Sequence, residues 1–158
     1  MKSVDPIWSS AYIQRDFGYM VWDVLFALDD KFDVRPQMVE TWDISPDKLT
    51  WTFTLRDNKW SNGQPVTAED CIASLKRWGA RDSMGQRMLA LVDGFEAVDA
   101  RTFRMKLREP YGLVLSTLGK DALMFMSADD LPLPHEYRFF GLDGMVSTPP
   151  GDLSRAIP

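Results

Sequence analysis

The sequence predicts an α+β domain, because pairs of strands and short amphipathic helices alternate along it. Two strand pairs, at 41–55 and 95–107, flank a stretch with two helical patterns, and a third helical pattern follows. The resulting order β-β-α-α-β-β-α is typical of α+β proteins. With 158 residues, of which 45% are hydrophobic, the chain can bury enough apolar surface for one compact domain.

An apolar stripe runs from Tyr19 to Leu28. Its members recur one, four, five and eight positions after the first, a spacing that fits an amphipathic helix better than a strand. They are Met20, Val21, Val24, Leu25 and Leu28. We therefore predict a helix over Tyr19–Leu28.

A strand pair comes next. In Thr50–Leu55, threonines alternate with large apolar side chains, so one face of the strand is apolar and the other carries hydroxyls. It is preceded by Thr41–Ile44 and by Ser45, Pro46 and Asp47, which are residues that favour a turn. The two segments are predicted to form a β-hairpin.

Two capping patterns predict the helices between the strand pairs. Thr67 is followed three residues later by Asp70, a variant of the capping box, and Ser83 is followed in the same way by Gln86. Each pattern precedes an apolar stripe. The stripes are Cys71, Ile72, Leu75 and Trp78 in the first helix, and Met88, Leu89, Leu91 and Val92 in the second.

The second strand pair comprises Phe95–Val98 and Thr102–Leu107, which flank a short polar turn. Pro110 then predicts the start of a helix, where its missing N–H costs nothing, ahead of Leu113. Beyond Lys120 prolines interrupt every window, so residues 121–158 are predicted to be irregular and poorly packed.

Composition excludes several classes of function. The net charge of -5 argues against nucleic acid as a partner, because binding a phosphate backbone requires clustered Lys and Arg. Cys71 is the only cysteine, which excludes an internal disulfide and a multi-cysteine zinc site. The chain starts without the apolar region of a signal peptide, and no run is long enough to span a bilayer.

The side chains that could react or bind a metal lack the partners that catalysis requires. His135 is the only histidine and has no spaced ligands near it, and Cys71 lies on an apolar helix face. Glu69 and Asp70 suit the positive end of a helix dipole. The spacing of 29–33 starts like a calcium loop, but the required glycine and distal glutamate do not follow. We therefore expect no catalytic residue, no metal site and no cofactor.

A long ungapped stretch carries a resemblance to a known family. Residues 36–56 read PQMVETWDISPDKLTWTFTLR, residues 59–70 read KWSNGQPVTAED, and residues 74–77 read SLKR. Together they resemble the signature of family 5 extracytoplasmic solute-binding proteins, the dipeptide, oligopeptide and nickel binders of ABC importers. The likeness extends less tightly from Asp5 to about Lys120.

The resemblance implies a fold and a function. Residues 1–120 would form part of the first lobe of a type II periplasmic-binding-protein-like fold, including its small β-rich subdomain, and residues 121–158 a divergent tail. Family members are several times longer, so we expect an incomplete fragment of a periplasmic or extracytoplasmic protein. It would bind a solute, most simply a peptide, and dock on a membrane permease without catalysing a reaction. The alternative is an independent α+β protein-interaction module with no small-molecule ligand.

The resemblance also implies a ligand wall. In oligopeptide-binding relatives, the segment after the early Asp-Pro lines the cleft; counted from Asp5 and Pro6, it is Ser9, Ser10, Ala11 and Tyr12 here. An ordinary surface strand or loop is the competing interpretation. Two tryptophans that look exposed, Trp8 and Trp60, could stack on a ligand, although buried aromatics are commoner.

Overall fold

The computed structural model describes residues 12–119. Helices and antiparallel strands both occur in this range, which confirms the α+β class. In chain order the elements are α1 Tyr12–Val21, β1 Phe26–Leu28, β2 Val34–Pro36, β3 Val39–Ile44, β4 Thr50–Leu55, α2 Ala68–Gly79, α3 Ser83–Leu91, β5 Val92–Ala97, β6 Thr102–Leu107 and α4 Val114–Leu118. None of these helices has the length and apolar character to cross a membrane.

A four-stranded antiparallel sheet organises the domain, with strand order β3-β4-β6-β5. Phe53 and Phe103 are directly paired on its two central strands, and their rings stack with centroids 5.1 Å apart. Both are fully buried, because the alternation seen in β4 and β6 turns one face of the sheet inward. The two predicted hairpins, β3–β4 and β5–β6, are thereby confirmed.

The core lies between the inner face of this sheet and the helices α2 and α3. Each large side chain that it buries stabilises the fold by roughly 1.5–3 kcal/mol. Cys71 is fully buried within this core, as its position on the apolar stripe predicts. The largest fully buried side chains are Trp78, Phe26, Phe53, Phe103, Leu25, Met38, Leu55, Leu75, Met88, Met105 and Leu118.

The helix predicted over Tyr19–Leu28 is wrong. Helix α1 ends at Val21, Met20 is 63% exposed, and Phe26–Leu28 form β1, which pairs antiparallel with β2. Phe26 of this strand meets the ring of Phe53 edge-on at 6.1 Å. The end of the apolar run is thus a short strand that packs Phe26 against Phe53, although Leu28 is exposed. This tertiary contact overrides the local helical spacing.

Of the three predicted helix starts, one is confirmed and two are corrected. The Thr67 and Asp70 capping box is present at α2. Helix α3 is capped by Asp82, not by Ser83, because the Asp82 carboxylate accepts the N–H groups of both Met84 and Gly85. Helix α4 begins only at Val114, so Pro110 lies upstream of it in an irregular segment.

The expectation that Trp60 is exposed is also wrong. Its side chain is buried as a member of the hydrophobic core, and a tight turn follows it. The Trp60 N–H donates to the Gln64 carbonyl at 2.8 Å, and the Gly63 N–H donates to the Trp60 carbonyl at 2.9 Å. Gly63 has φ of 87°, which explains why glycine occupies this turn. Trp60 therefore belongs to the core and cannot stack on a ligand.

Candidate functional site

The predicted ligand wall falls almost wholly outside the described residues. Trp8, Ser9, Ser10 and Ala11 precede them, and Tyr12 is the first residue of α1. The wall therefore stays a prediction. The structure describes instead the adjoining part of the chain, which comprises α1 and the junction between α1 and β1.

Gln37 fixes the junction between α1 and β1 through its side chain and its backbone. Its Oε1 accepts the Val24 N–H at 3.1 Å, and its Nε2 donates to Asp23 Oδ1 at 2.9 Å. Its own N–H donates to the Leu25 carbonyl at 3.0 Å. One amide thus holds Asp23 and the start of β1 in a defined position.

Asp23 is a half-buried carboxylate at this junction. Removal of water by burial raises its pKa, since the charged form loses hydration. Among residues 12–119 its one hydrogen-bond donor is Gln37, a neutral amide, and no cation pairs with it. The neighbouring Trp22 is buried, and its indole N–H has no acceptor within the same residues. The junction therefore holds a carboxylate that could accept a cationic group.

The β1–β2 hairpin beyond the junction carries an aromatic side chain at its tip. Phe32 is 81% exposed and has φ of 63°, in the left-handed region that favours glycine. Asp29 holds the hairpin closed: its Oδ2 accepts from Arg35 Nε at 2.8 Å, and its Oδ1 accepts the Asp33 N–H at 2.9 Å. These bonds position the tip, and they account for the acidic residues that resembled a calcium loop.

A cleft of 410 Å³ lies between the β3–β4 turn and the segment before α4. Trp51 and Tyr111 provide its aromatic surfaces, and Lys48 stands on its rim. The remaining lining residues are Ile44, Ser45, Pro46, Pro110 and Gly112. Sequence reasoning identified this turn but not the cleft, because its second wall comes from residues about sixty positions away.

The described residues offer neither a metal cluster nor a thiol that ionises readily. No group of His, Cys, Asp and Glu side chains in 12–119 could hold a metal ion. The Cys71 thiol is fully buried, and desolvation together with the nearby Asp70 raises its pKa well above the ordinary value. A thiol in that environment is a poor nucleophile because the thiolate is strongly disfavoured.

Asp23 and Gln37 are the candidate binding residues that sequence reasoning missed. They are far apart in the sequence, and the predicted helix over Tyr19–Leu28 placed Asp23 within a regular element. A usable signal was present, since Asp23 interrupts an otherwise apolar run from Met20 to Phe26.

Comparisons with known proteins agree with this description. Residues 33–139 match the family described as bacterial extracellular solute-binding proteins, family 5 middle. A probable peptide ABC transporter periplasmic-binding protein of Sinorhizobium fredii is 39% identical over 131 residues, which is 82% of this chain and 25% of the relative. The periplasmic oligopeptide-binding protein OppA of Haemophilus influenzae is 38% identical over 77 residues, 48% of this chain and 14% of the relative.

Solved structures share the fold. Haemophilus influenzae OppA in complex with the peptide RPPGFSPFR matches with a TM-score of 0.70 and 27% identity, over 81% of this chain and 29% of that one. Helicobacter pylori DppA in complex with the peptide STSA matches with a TM-score of 0.67 and 25% identity, over 80% of this chain and 29% of that one. The neighbours confirm part of a type II periplasmic-binding-protein fold. The chain spans about a quarter of the length of these relatives. It belongs to family 5 of the bacterial extracellular solute-binding proteins.

Proposed function

We propose that this protein is the solute-binding component of an ABC importer, that its solute is a peptide, and that it works outside the cytoplasm. Family membership carries the proposal. The names of the most similar relatives support a peptide, since they describe peptide-binding proteins of transporters. Such proteins work by closing two lobes around a solute and presenting the closed form to a membrane permease. The activity is capture of a ligand, with no chemical step.

Residues 9–12, with Trp8 beside them, are the proposed ligand wall. Small hydroxyls and extended backbone can pair with the polar groups of a peptide, and Tyr12 adds an apolar face with a polar tip. These residues are Ser9, Ser10, Ala11 and Tyr12. Their proposed role rests on the family resemblance and on the ability of these side chains to contact a peptide.

Asp23 is proposed as a second contact, for a cationic group of the solute. It lies two residues beyond the end of α1, and the helix from Tyr12 to Val21 is about 14 Å long, a distance that an extended peptide of four or five residues can cover. A carboxylate whose pKa is raised by burial is typical of functional sites. The amino terminus or a lysine of a peptide would supply the cation that the described residues do not provide.

Transplantation into a relative with a known ligand tests the peptide function. In Haemophilus influenzae OppA, the matching quarter would be replaced by residues 5–119 of this chain, and binding of RPPGFSPFR would be measured by calorimetry. We expect the chimera to retain binding, and Tyr12→Ala within it to weaken binding without changing the melting temperature of the ligand-free protein. A folded chimera that does not bind the peptide would contradict the proposed function. If Tyr12→Ala lowers stability and leaves affinity unchanged, Tyr12 is a core residue.

The chain of 158 residues provides a second, independent test. A ligand covered on one side leaves groups in water, and the entropy lost on association is poorly offset. We therefore expect a panel of dipeptides and oligopeptides to bind it weakly or not at all. Tight binding by this chain alone would show that the second lobe is not needed.

A further inference from the structure

The cleft between the β3–β4 turn and the segment before α4 has the size and lining of a small-molecule site. Its volume of 410 Å³ falls within the range of small-ligand pockets, roughly 300–1,000 Å³. Trp51 is buried, so its ring forms a fixed surface, and Tyr111 is half-buried opposite it. Ile44, Pro46 and Pro110 add further apolar contacts. An occupant would need an apolar body to make these contacts.

Lys48 gives the cleft its charge. It is the one charged residue among those that line the cleft, and within residues 12–119 its ammonium forms no ion pair. The neighbouring Asp47 does not neutralise it by direct contact, because the Asp47 carboxylate accepts the Leu49 N–H at 3.0 Å and the Ser45 hydroxyl. The rim of an apolar cleft therefore presents an available positive charge.

The hydrogen bonds of the turn hold this arrangement in place before any ligand arrives. The Ser45 N–H donates to the Thr50 carbonyl at 2.9 Å, and the Lys48 N–H donates to the Ser45 carbonyl at 2.8 Å. Lys48 itself has φ of 60°, a strained conformation for a residue with a side chain, and such strain persists only where the surroundings fix it. On the opposite wall, the Tyr111 hydroxyl is 3.2 Å from Thr117 Oγ1. Preformed walls reduce the ordering cost of binding.

We propose that this cleft binds a small organic anion with an apolar ring or short aliphatic body, its carboxylate lying next to the Lys48 ammonium. The proposal does not depend on the proposed peptide wall. Burial of one ring and one partly exposed ion pair gives an affinity on the order of millimolar.

Phenylacetate and its neutral analogue phenylacetamide test the proposal on the 158-residue chain. In a sample labelled at the isoleucine δ1 methyl groups, phenylacetate should shift the signal of Ile44, which lines the cleft, and leave that of Ile72, which lies in the core. The amide should bind about two- to five-fold more weakly, because it lacks the charge that pairs with Lys48. No change at Ile44 with about 20 mM phenylacetate, well above the expected dissociation constant, would overturn the proposal. Equal affinity for the amide would also overturn it.

Two variants assign the binding to these walls. Lys48→Gln should remove the preference for phenylacetate over the amide, whereas Lys76→Gln, a matched change at an exposed lysine of α2, should preserve it. Gly112→Leu should weaken both ligands at least about three-fold by filling the cleft, because a Cβ at Gly112 has no heavy atom within 4 Å and the domain can accept the side chain. A preference that survives Lys48→Gln, or affinities unchanged by Gly112→Leu, would place the ligand elsewhere and contradict the proposal.

Discussion

Thr67 and Asp70 cap the amino terminus of α2 reciprocally. Thr67 Oγ1 accepts the Asp70 N–H at 3.2 Å, and Asp70 Oδ2 accepts the Thr67 N–H at 2.9 Å. The next residue, Ala68, donates its N–H to the Ala100 carbonyl at 2.8 Å, in the turn between β5 and β6. The cap therefore fixes the start of α2 against the second hairpin as well as satisfying its own backbone.

Thr67→Ala is expected to lower the free energy of unfolding by about 1 kcal/mol, because the first turn of α2 loses its side-chain acceptor. Thr67→Ser keeps the hydroxyl and is the matched control, expected to stay close to wild type. Urea denaturation followed by circular dichroism measures both. Equal stability of the alanine and serine variants would show that the Thr67 hydroxyl does not stabilise the fold.

Gly85→Ala should destabilise the packing of α3 on α2. An alanine Cβ at this position would lie 2.8 Å from the backbone Cα of Gly79 and 2.9 Å from the Trp78 ring, so the two helices would have to separate. We expect a loss of about 1–3 kcal/mol in unfolding free energy. Gly94→Ala is the control, since a Cβ there has no heavy atom within 4 Å. A stable Gly85→Ala variant would mean that this close approach is not maintained in solution.

Asp29→Asn should lower stability at neutral pH. The hydrogen bond from Arg35, followed by that from the Asp33 N–H, lowers the pKa of Asp29 below its ordinary value of 3.8. Its carboxylate therefore stabilises the fold above about pH 4, and this stabilisation is lost as the pH falls through the folded-state pKa. Chemical denaturation at a series of pH values should show the variant and wild type converging in acid. Asp30→Asn, at the exposed neighbouring residue, serves as control. A difference in unfolding free energy between Asp29→Asn and wild type that is the same at every pH would contradict the role given to the Asp29 carboxylate.

Asp23→Asn should have the opposite effect and raise stability at neutral pH. Burial raises the pKa of Asp23, so the fold loses stability as the pH rises from 3.8 to the folded-state pKa. The amide avoids this loss and can still accept the hydrogen bond from Gln37. In the same pH series, the unfolding free energy of the variant should therefore increase relative to that of wild type as the pH rises. A less stable variant at pH 7 would mean that the charge of Asp23 is stabilised by a group outside the described residues.

Much of the sheet could be predicted from local pattern alone. The threonine and large apolar residues of Thr50–Leu55 alternate strictly, and the strand has the predicted ends. Thr67 and Asp70 likewise carry their capping role in their spacing. These predictions succeed because the interactions that decide them lie within a few residues of one another.

The predictions that failed depend on contacts between distant parts of the chain. Residues 24–28 fit a helical spacing, but Phe26–Leu28 is a strand because Val34–Pro36 pairs with it and Phe53 packs against Phe26. Asp23 acquires its environment from Gln37, fourteen residues further on. Neither relationship has a periodic signature. The ligand wall at residues 8–12 was inferred from family likeness and remains a prediction.

The strand order of the main sheet has a consequence for how fast the domain can fold. Each of its two hairpins, β3–β4 and β5–β6, joins residues that are close in the sequence, so each can form early. The pairing of β4 with β6, where Phe53 meets Phe103, must instead close a loop that contains both α2 and α3. Closing a long loop costs entropy before the central aromatic contact can repay it. The pairing of the two hairpins is therefore the step expected to limit the folding rate. The length of the segment that contains α2 and α3 determines the entropy cost of that step.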